Sequence, residues 1–264
     1  VYKDEFIPHK FGKKVKCMFF SGEDRYQGIE LPREIVKDVL KKEENFTISF
    51  WAKTSHKAIV GSNIGGSGPA YFLSAGNKDS NVQNNRMLHI GYNENEIFNF
   101  GFWGNDLNIS AVSTEDWHHY VLVYEHKDNG EDDSRTKRIR AVYFDGALMG
   151  YGESAHDLKL SNTGIRLGKK EYKYQNNRVT KLLKGYMADV RFYKEALTPN
   201  LIEKLYYEYA PSNNLVAHWK LDSICESGFI KDELGRYNGQ VKDINKVTVT
   251  QDPEPINNKY VKCL

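Results

Sequence analysis

No run of the sequence stays apolar for the length that crosses a bilayer, and the opening VYKDEFIPHK lacks the apolar stretch of a secretion signal. Direct membrane insertion is therefore not expected. The missing initiating Met fits a processed precursor, a piece of a longer polypeptide or a trimmed chain. Cysteine is scarce. Cys17, Cys225 and Cys263 are too few and too scattered for a disulfide framework or a zinc site, both of which need closely spaced ligand pairs. Three small buried residues are expected, with a Cys17–Cys263 bridge as the alternative if the two Val-Lys-Cys stretches are neighbours in an oxidising compartment. An excess of one charge is lacking too: 37 Lys and Arg face 35 Asp and Glu, a net charge of +2 in 264 residues. Nothing in that balance draws in nucleic acid or an acidic membrane, so a partner must be recognised locally. Helix signals are few, and no Ser, His and acid set comes with a nucleophile turn, so hydrolase chemistry has no visible residues.

What the chain has is period-two patterning, with β-branched and aromatic residues alternating between turn clusters. FTISFWAKT (46–54) sets Phe46, Ile48, Phe50 and Ala52 against Thr47, Ser49, Trp51 and Lys53, the pattern of a half-buried strand. RMLHIGYN, IFNFGFWG, WHHYVLVYEH, IRAVYFDGALMGYGE, GIRLGKK and KGYMADVRFYKEAL continue it. Asp145-Gly146 supplies the positive-φ pair of a tight hairpin. A short helix is expected over 31–43, where a proline precedes Ile35, Val36, Val39 and Leu40, and a second over 198–209, with Thr198 as N-cap and Pro199 at the first helical position. The Gly-, Ser- and Asn-rich 60–87 and the charge-dense 126–138, with Glu131, Asp132 and Asp133, read as solvated loops. Many short strands with little helix imply two antiparallel sheets packed face to face, an all-β jelly-roll sandwich. Its size allows a large core, and Trp51, Trp117 and Trp219 are expected inside it, with Trp103 less enclosed. His118 and His119, adjacent on a strand, must face opposite sides and cannot share a metal. Glu94 and Glu96 read as solvated turn residues. Asn45 (NFT) and Asn108 (NIS) fit the glycan-acceptor pattern, Asn108 in an apparent loop being the better placed.

The order FFSGEDRYQGIELP, NFTISFWAKTS, WHHYVLVYE, RAVYFDGALMGYGE, IRLGKK and LKGYMADVRFYKEALTPNLIEKLYYE resembles the laminin G-like, pentraxin-related branch of the concanavalin A-like lectin/glucanase superfamily, over roughly 11–209. In that family an LVAYWxLDE strand conventionally opens the domain. Here its counterpart LVAHWKLD (215–222) comes late, followed by IKDELGRYNGQV and NNKYVKCL, the last similar to FGKKVKCMFF near the start. The expected organisation is a laminin G-like jelly roll over 1–210 lacking its first conventional strand. Residues 211–264 would resemble the start of a further repeat and complete the sandwich, either in the same chain or in a neighbouring molecule.

Glucanases of the superfamily carry acids at alternate positions of one strand, and no Glu-x-Asp-x-Glu occurs here, so no enzyme activity is expected and a glycoside hydrolase is a remote alternative. The resemblance implies a calcium site as the one cofactor, its candidates being Glu23, Asp24 and Asp189. The chain departs from the family in carrying Ser21 and Ala188 where acids usually stand, losses that weaken a calcium site. The expected function is recognition of a glycan or protein ligand by the loops around GFWGND and YKYQNN, through Trp103, Asn105, Asp106, Tyr172, Tyr174 and Asn176, since exposed rings stack on sugars and amides bond their hydroxyls. The alternative is a structural unit of a larger assembly, with neighbouring subunits as partners. An extracellular or cell-surface setting suits the first and an intracellular assembly the second.

Overall fold

A computed structural model describes residues 16–54, 70–77, 79–110, 116–127, 137–161, 163–207, 211–225, 227–243 and 247–251. The elements run β1 (Lys16–Ser21), β2 (Ile29–Leu31), α1 (Glu34–Val39), β3 (Phe46–Thr54), β4 (Tyr71–Gly76), β5 (Met87–Tyr92), β6 (Phe98–Gly101), β7 (Asp106–Ile109), β8 (His118–Lys127) and β9 (Lys137–Phe144). They continue with β10 (Ala147–Glu153), β11 (Ile165–Leu167), β12 (Lys169–Tyr174), β13 (Asn177–Leu182), β14 (Lys184–Tyr193), α2 (Pro199–Tyr207), β15 (Leu215–Trp219), β16 (Phe229–Ile230), β17 (Gly239–Val241) and β18 (Val247–Gln251).

Two antiparallel sheets form the jelly-roll sandwich. One is ordered β10-β9-β8-β3-β14-β1-β18, with β15 also on β14; the other is ordered β16-β17-β2-β11-β4-β5-β6-β7. The inward faces of both supply a single core in which Phe46, Phe50, Phe72, Phe98, Phe100, Tyr120 and Trp219 are buried. Phe50, Phe72, Phe98 and Phe144 pack around Tyr120 at centroid distances of 4.6–5.5 Å, the spacing that favours stacked and edge-on pairs.

The expected strands form, with four differences. β3 is covered on both faces rather than half-buried, because α2 lies on its outer side: Trp51 packs there against both His119 (5.1 Å) and Tyr206 (5.7 Å), whose rings are 6.0 Å apart. Within 60–87, Tyr71–Gly76 is a buried strand in mid-sheet, not a loop, while 60–69 and residue 78 lie outside the described residues. Helix α1 is two turns shorter than its pattern, although Ile35, Val36 and Val39 are buried as expected. Cys17 is buried but Cys225 is exposed; Cys263, its suggested bridge to Cys17 and the acidic cluster 131–133 fall outside the described residues. Helix α2 starts at Pro199 with the Thr198 carbonyl accepting from Ile202 N at 3.0 Å. His118 and His119 do face apart, the first bonded to Asp145 (2.7 Å) and the second to Ser49 (2.9 Å).

Late residues join both sheets of the same chain. β15 pairs with Val190–Tyr193 of β14, while β1 pairs with Lys184–Met187 along the same edge, so the two strands lie end to end. β18 lies antiparallel on β1, with Gln251 opposite Lys16. β17 extends the other sheet at β2. No helix among the described residues is long and apolar enough to cross a membrane.

Candidate functional site

Strand β12 pairs with β13 through a two-residue turn in which Gln175 and Asn176 both have positive φ (46° and 64°), so the expected YKYQNN loop is a hairpin. This hairpin lies over β4 and is tethered at its tip: Asn176 N donates to Asn81 Oδ1 at 2.9 Å, and Val82 N to the Lys173 carbonyl at 2.8 Å. Side chains two apart share a strand face, which puts Lys170, Tyr172 and Tyr174 in one row. Exposure rises outward along it, from 6% at Lys170 to 50% at Tyr174.

Trp103 meets this row from the turn between β6 and β7. Its φ of 60° and that of Gly104 (67°) are both left-handed, an uncommon state for a bulky residue and one that persists only when surroundings over-determine it. Those surroundings are visible. Phe102 N donates to the Asn105 carbonyl (3.1 Å) and Asn85 N to the Trp103 carbonyl (3.0 Å). The buried Arg140 guanidinium donates to the carbonyls of Phe100 (2.8 Å) and Asn105 (2.7 Å) and to Asn105 Oδ1 (3.0 Å). Burial pushes Arg140 down to about 10, still a cation at neutral pH. Held this way, the Trp103 ring sits 4.7 Å from Tyr172 and 6.2 Å from Tyr174, at 58° and 49°.

The structure thus brings Trp103, Tyr172 and Tyr174 into one partly open aromatic platform. Asp106 lies at its margin, 3.4 Å from His89. Burial raises the Asp106 carboxyl, but His89, Lys170 and Arg140 outweigh it and hold the group below the usual carboxylate range. Burial and Lys170 keep His89 below its ordinary value, hence neutral. Asn176 stands exposed at the hairpin tip. Asn105 does not face outward: besides accepting from Arg140, its amide donates to Asn85 Oδ1 (2.8 Å) and Ser154 Oγ (2.9 Å), so it positions the turn. Sequence reasoning missed Lys170, whose signal was the alternation K-x-Y-x-Y, and Tyr71 and His89, which a strand hidden in a polar stretch and a buried histidine gave no reason to single out.

The three calcium candidates do not make one site. Asp24 Oδ1 accepts from Tyr26 N at 2.8 Å beside exposed Glu23. Asp189 is five positions along β14 from Lys184, the partner of Ser21, or about 16 Å at strand rise. Both Asp189 oxygens are engaged, one by His218 (2.7 Å) and one by Arg191, so its carboxylate does not fit a cation. Among the described residues no group of three or more His, Cys, Asp and Glu is placed to hold a metal. Of the two acceptor triplets, Asn45 Oδ1 accepts from His126 N (2.7 Å), and Asn108, exposed and on β7 rather than in a loop, accepts at Oδ1 from Asn99 Nδ2 (2.6 Å).

A family model of the concanavalin A-like lectin/glucanases superfamily, laminin G-like, matches residues 23–203. Comparison with curated proteins gives no match. Among solved structures, a candidate carbohydrate-binding protein of Bacteroides ovatus superposes with a TM-score of 0.62 at 18% identity, over 93% of this chain; the chain spans 62% of that protein. The heptameric SAP-like pentraxin of Limulus polyphemus gives 0.51 at 13% identity, covering 90% of this chain and 96% of that one. The CBM40 of the Ruminococcus gnavus IT-sialidase, bound to α2,3-sialyllactose, gives 0.51 at 14% identity, covering 74% and 98%. With its two-sheet sandwich and a family match over 23–203, most of its length, the chain belongs to the concanavalin A-like lectin/glucanases superfamily.

Proposed function

We propose that this chain is a non-catalytic glycan-binding module whose ligand rests on Trp103, Tyr172 and Tyr174. The observation that carries this is the left-handed Trp103, held in a costly backbone state by Arg140 and Asn105 with its ring beside two tyrosines rather than in the core. Such partly open rings match the apolar faces of sugars, and neighbouring Asp106 and Asn176 can bond hydroxyls. The Bacteroides and Ruminococcus relatives, described as carbohydrate-binding, favour the same ligand class. The acids near the platform suit binding rather than hydrolysis: Glu94 is paired with Lys181 at 3.1 Å and Asp106 with His89, so neither is poised as a free nucleophile or proton donor.

Titration calorimetry against immobilised-array hits tests this. Trp103→Ala is expected to lower affinity about tenfold or more by removing a stacking ring, with the melting temperature within a few degrees of the parent because the ring lies outside the main core. Unchanged affinity in the variant counts against the platform. A second reading, self-association or protein binding, is favoured by Leu148, Met149 and Tyr151, exposed together on β10 at the end of its sheet. Sedimentation velocity across concentration separates a monomer from an assembling unit.

A further inference from the structure

Lys170 brings to the platform a chemistry that stacking leaves unused. Its Nζ lies 4.5 Å from the ring centroid of Tyr71, 5.1 Å from that of Trp103 and 5.4 Å from that of Tyr172. Three ring faces attract a cation, but they give its three N–H donors no lone-pair acceptor. Among the described residues Nζ has no hydrogen-bond acceptor and no carboxylate at ion-pair distance; Glu94 is bound to Lys181 and Asp106 to His89. Although the Lys170 side chain is largely buried, Nζ is not among the fully enclosed polar atoms, so the acceptor its donors lack is left to water or to a ligand. Burial pushes its amine down to about 8, against the opposing pull of Asp106 and Glu94.

We propose that Lys170 anchors a carboxylate on the bound saccharide, so that the platform selects acidic sugars over their neutral counterparts. The inference rests on the platform being the glycan site. Lys170 is two residues inward from Tyr172 on the same strand face, and its Nζ lies 5.4 Å from the Tyr172 ring and 5.1 Å from the Trp103 ring, a span that one sugar ring with an exocyclic carboxylate bridges. A carboxylate adds a full opposite charge to the hydrogen bond that a hydroxyl would also offer the ammonium, and beside low-dielectric aromatic rings that attraction is stronger than in open water. Of the cations near the platform, Lys181 is paired with Glu94 and Arg140 is held by the Phe100 and Asn105 carbonyls, so Lys170 is the one whose charge an incoming anion meets at the rings.

The groups facing Lys170 are His89 on β5, Glu94 after it, Asp106 on β7, Lys181 on β13, and Tyr71 and Tyr172. His89 is held neutral. Glu94, raised by burial but lowered further by its backbone hydrogen bond, Lys181 and Lys170, stays ionised, as does Asp106. Burial keeps both tyrosines protonated to higher pH than usual. Raising the pH through about 8 removes the Lys170 proton and the anchor with it; affinity for the acidic sugar then falls by up to about tenfold per pH unit, while affinity for a neutral sugar stays level.

The test uses matched pairs, glucuronate with glucose, galacturonate with galactose, and N-acetylneuraminate with its methyl ester, each presented on the same oligosaccharide and titrated at pH 7 and pH 9. The parent protein is expected to bind the acidic member of at least one pair about tenfold more tightly at pH 7, with the preference shrinking at pH 9. Lys170→Met keeps the apolar stem; it should erase the preference while holding neutral-sugar affinity within about threefold, and Lys170→Arg should restore it. Equal affinities within every pair that binds, or a preference surviving in Lys170→Met, overturns the lysine anchor and leaves the platform standing. Binding of no member of any pair by the parent protein overturns both.

Discussion

Deletion of residues 211–264 is expected to leave a chain that does not fold, seen as loss of near-ultraviolet circular dichroism and as aggregation on size exclusion. The cut removes β15 from half of the β14 edge and β17 from the edge of β2, exposing unpaired backbone donors and acceptors on both sheets. It also removes Ala217, Trp219, Leu221, Ile230 and Val247, each almost wholly buried in the core. Loss of one such large side chain costs about 2–5 kcal/mol, and a domain is stable by only about 5–15 kcal/mol. Trp219 alone packs edge-on against Phe192 at 5.7 Å and donates to the Tyr237 carbonyl at 2.8 Å. The informative companion is a circular permutant that places 211–251 ahead of 16–207. Because Gln251 lies opposite Lys16, a short turn can join them, and the permutant should fold with a melting temperature near the parent's. A folded deletion variant, or an unfolded permutant, contradicts the view that this segment belongs to the same sandwich.

Replacing Asp189 by Asn or Ala is expected to destabilise the protein by about 3–5 kcal/mol, the range for breaking a buried ion pair from one side. For a chain of this size that is a fall of roughly 10 °C in Tm. Asp189 sits at an irregularity of β14 with φ of 56°, its N–H donating to the Lys220 carbonyl at 3.0 Å, and it is the buried counterion of Arg191, whose Nε and Nη2 find no hydrogen-bond partner among the described residues. Without Asp189 the guanidinium stays in the interior with no carboxylate partner among the described residues. Burial raises the Asp189 carboxyl, but Arg191 and then His218 and His119 hold it below its ordinary value. The sign follows: the unfolded chain takes up a proton at higher pH than the folded one, so this contribution is complete above the ordinary carboxyl range near 4 and is lost as pH falls through the depressed folded value. Thermal melts below pH 4 should therefore show the parent protein losing stability by up to about 1.4 kcal/mol per pH unit from this group, a loss absent in Asp189→Asn.

The legible parts of the fold were those in which one residue pattern has one physical meaning. β3, β8 and β14 announce themselves by alternation, and Asp145-Gly146 by the need for positive φ at both turn positions, which the structure shows at 50° and 80°. Alternation reports that a face is apolar, not what covers it. The pattern of β3 implies one covered face and the bulk of Trp51 an enclosed site, but that α2 covers the second face is not written in the strand itself. β4 was hidden because a strand buried on both sides has no alternation, and its flanks are Gly, Ser and Asn. At the site, Trp103, Tyr172 and Tyr174 could be named from exposed-loop chemistry. That Asn105 turns inward and that Lys170 is enclosed depend on where Arg140 and Tyr71 arrive from distant strands, and the calcium candidates separate for the same reason.

Chemical shifts of the tryptophan indole N–H groups during titration with a bound oligosaccharide test the platform most directly. Of the four indoles, those of Trp51, Trp117 and Trp219 are buried and that of Trp103 is not. The expected result is a saturable shift of the Trp103 signal, assigned by its loss in Trp103→Phe, while the Trp219 signal, fixed on the Tyr237 carbonyl, stays in place. A saccharide that binds and leaves Trp103 unmoved would contradict the assignment of the site.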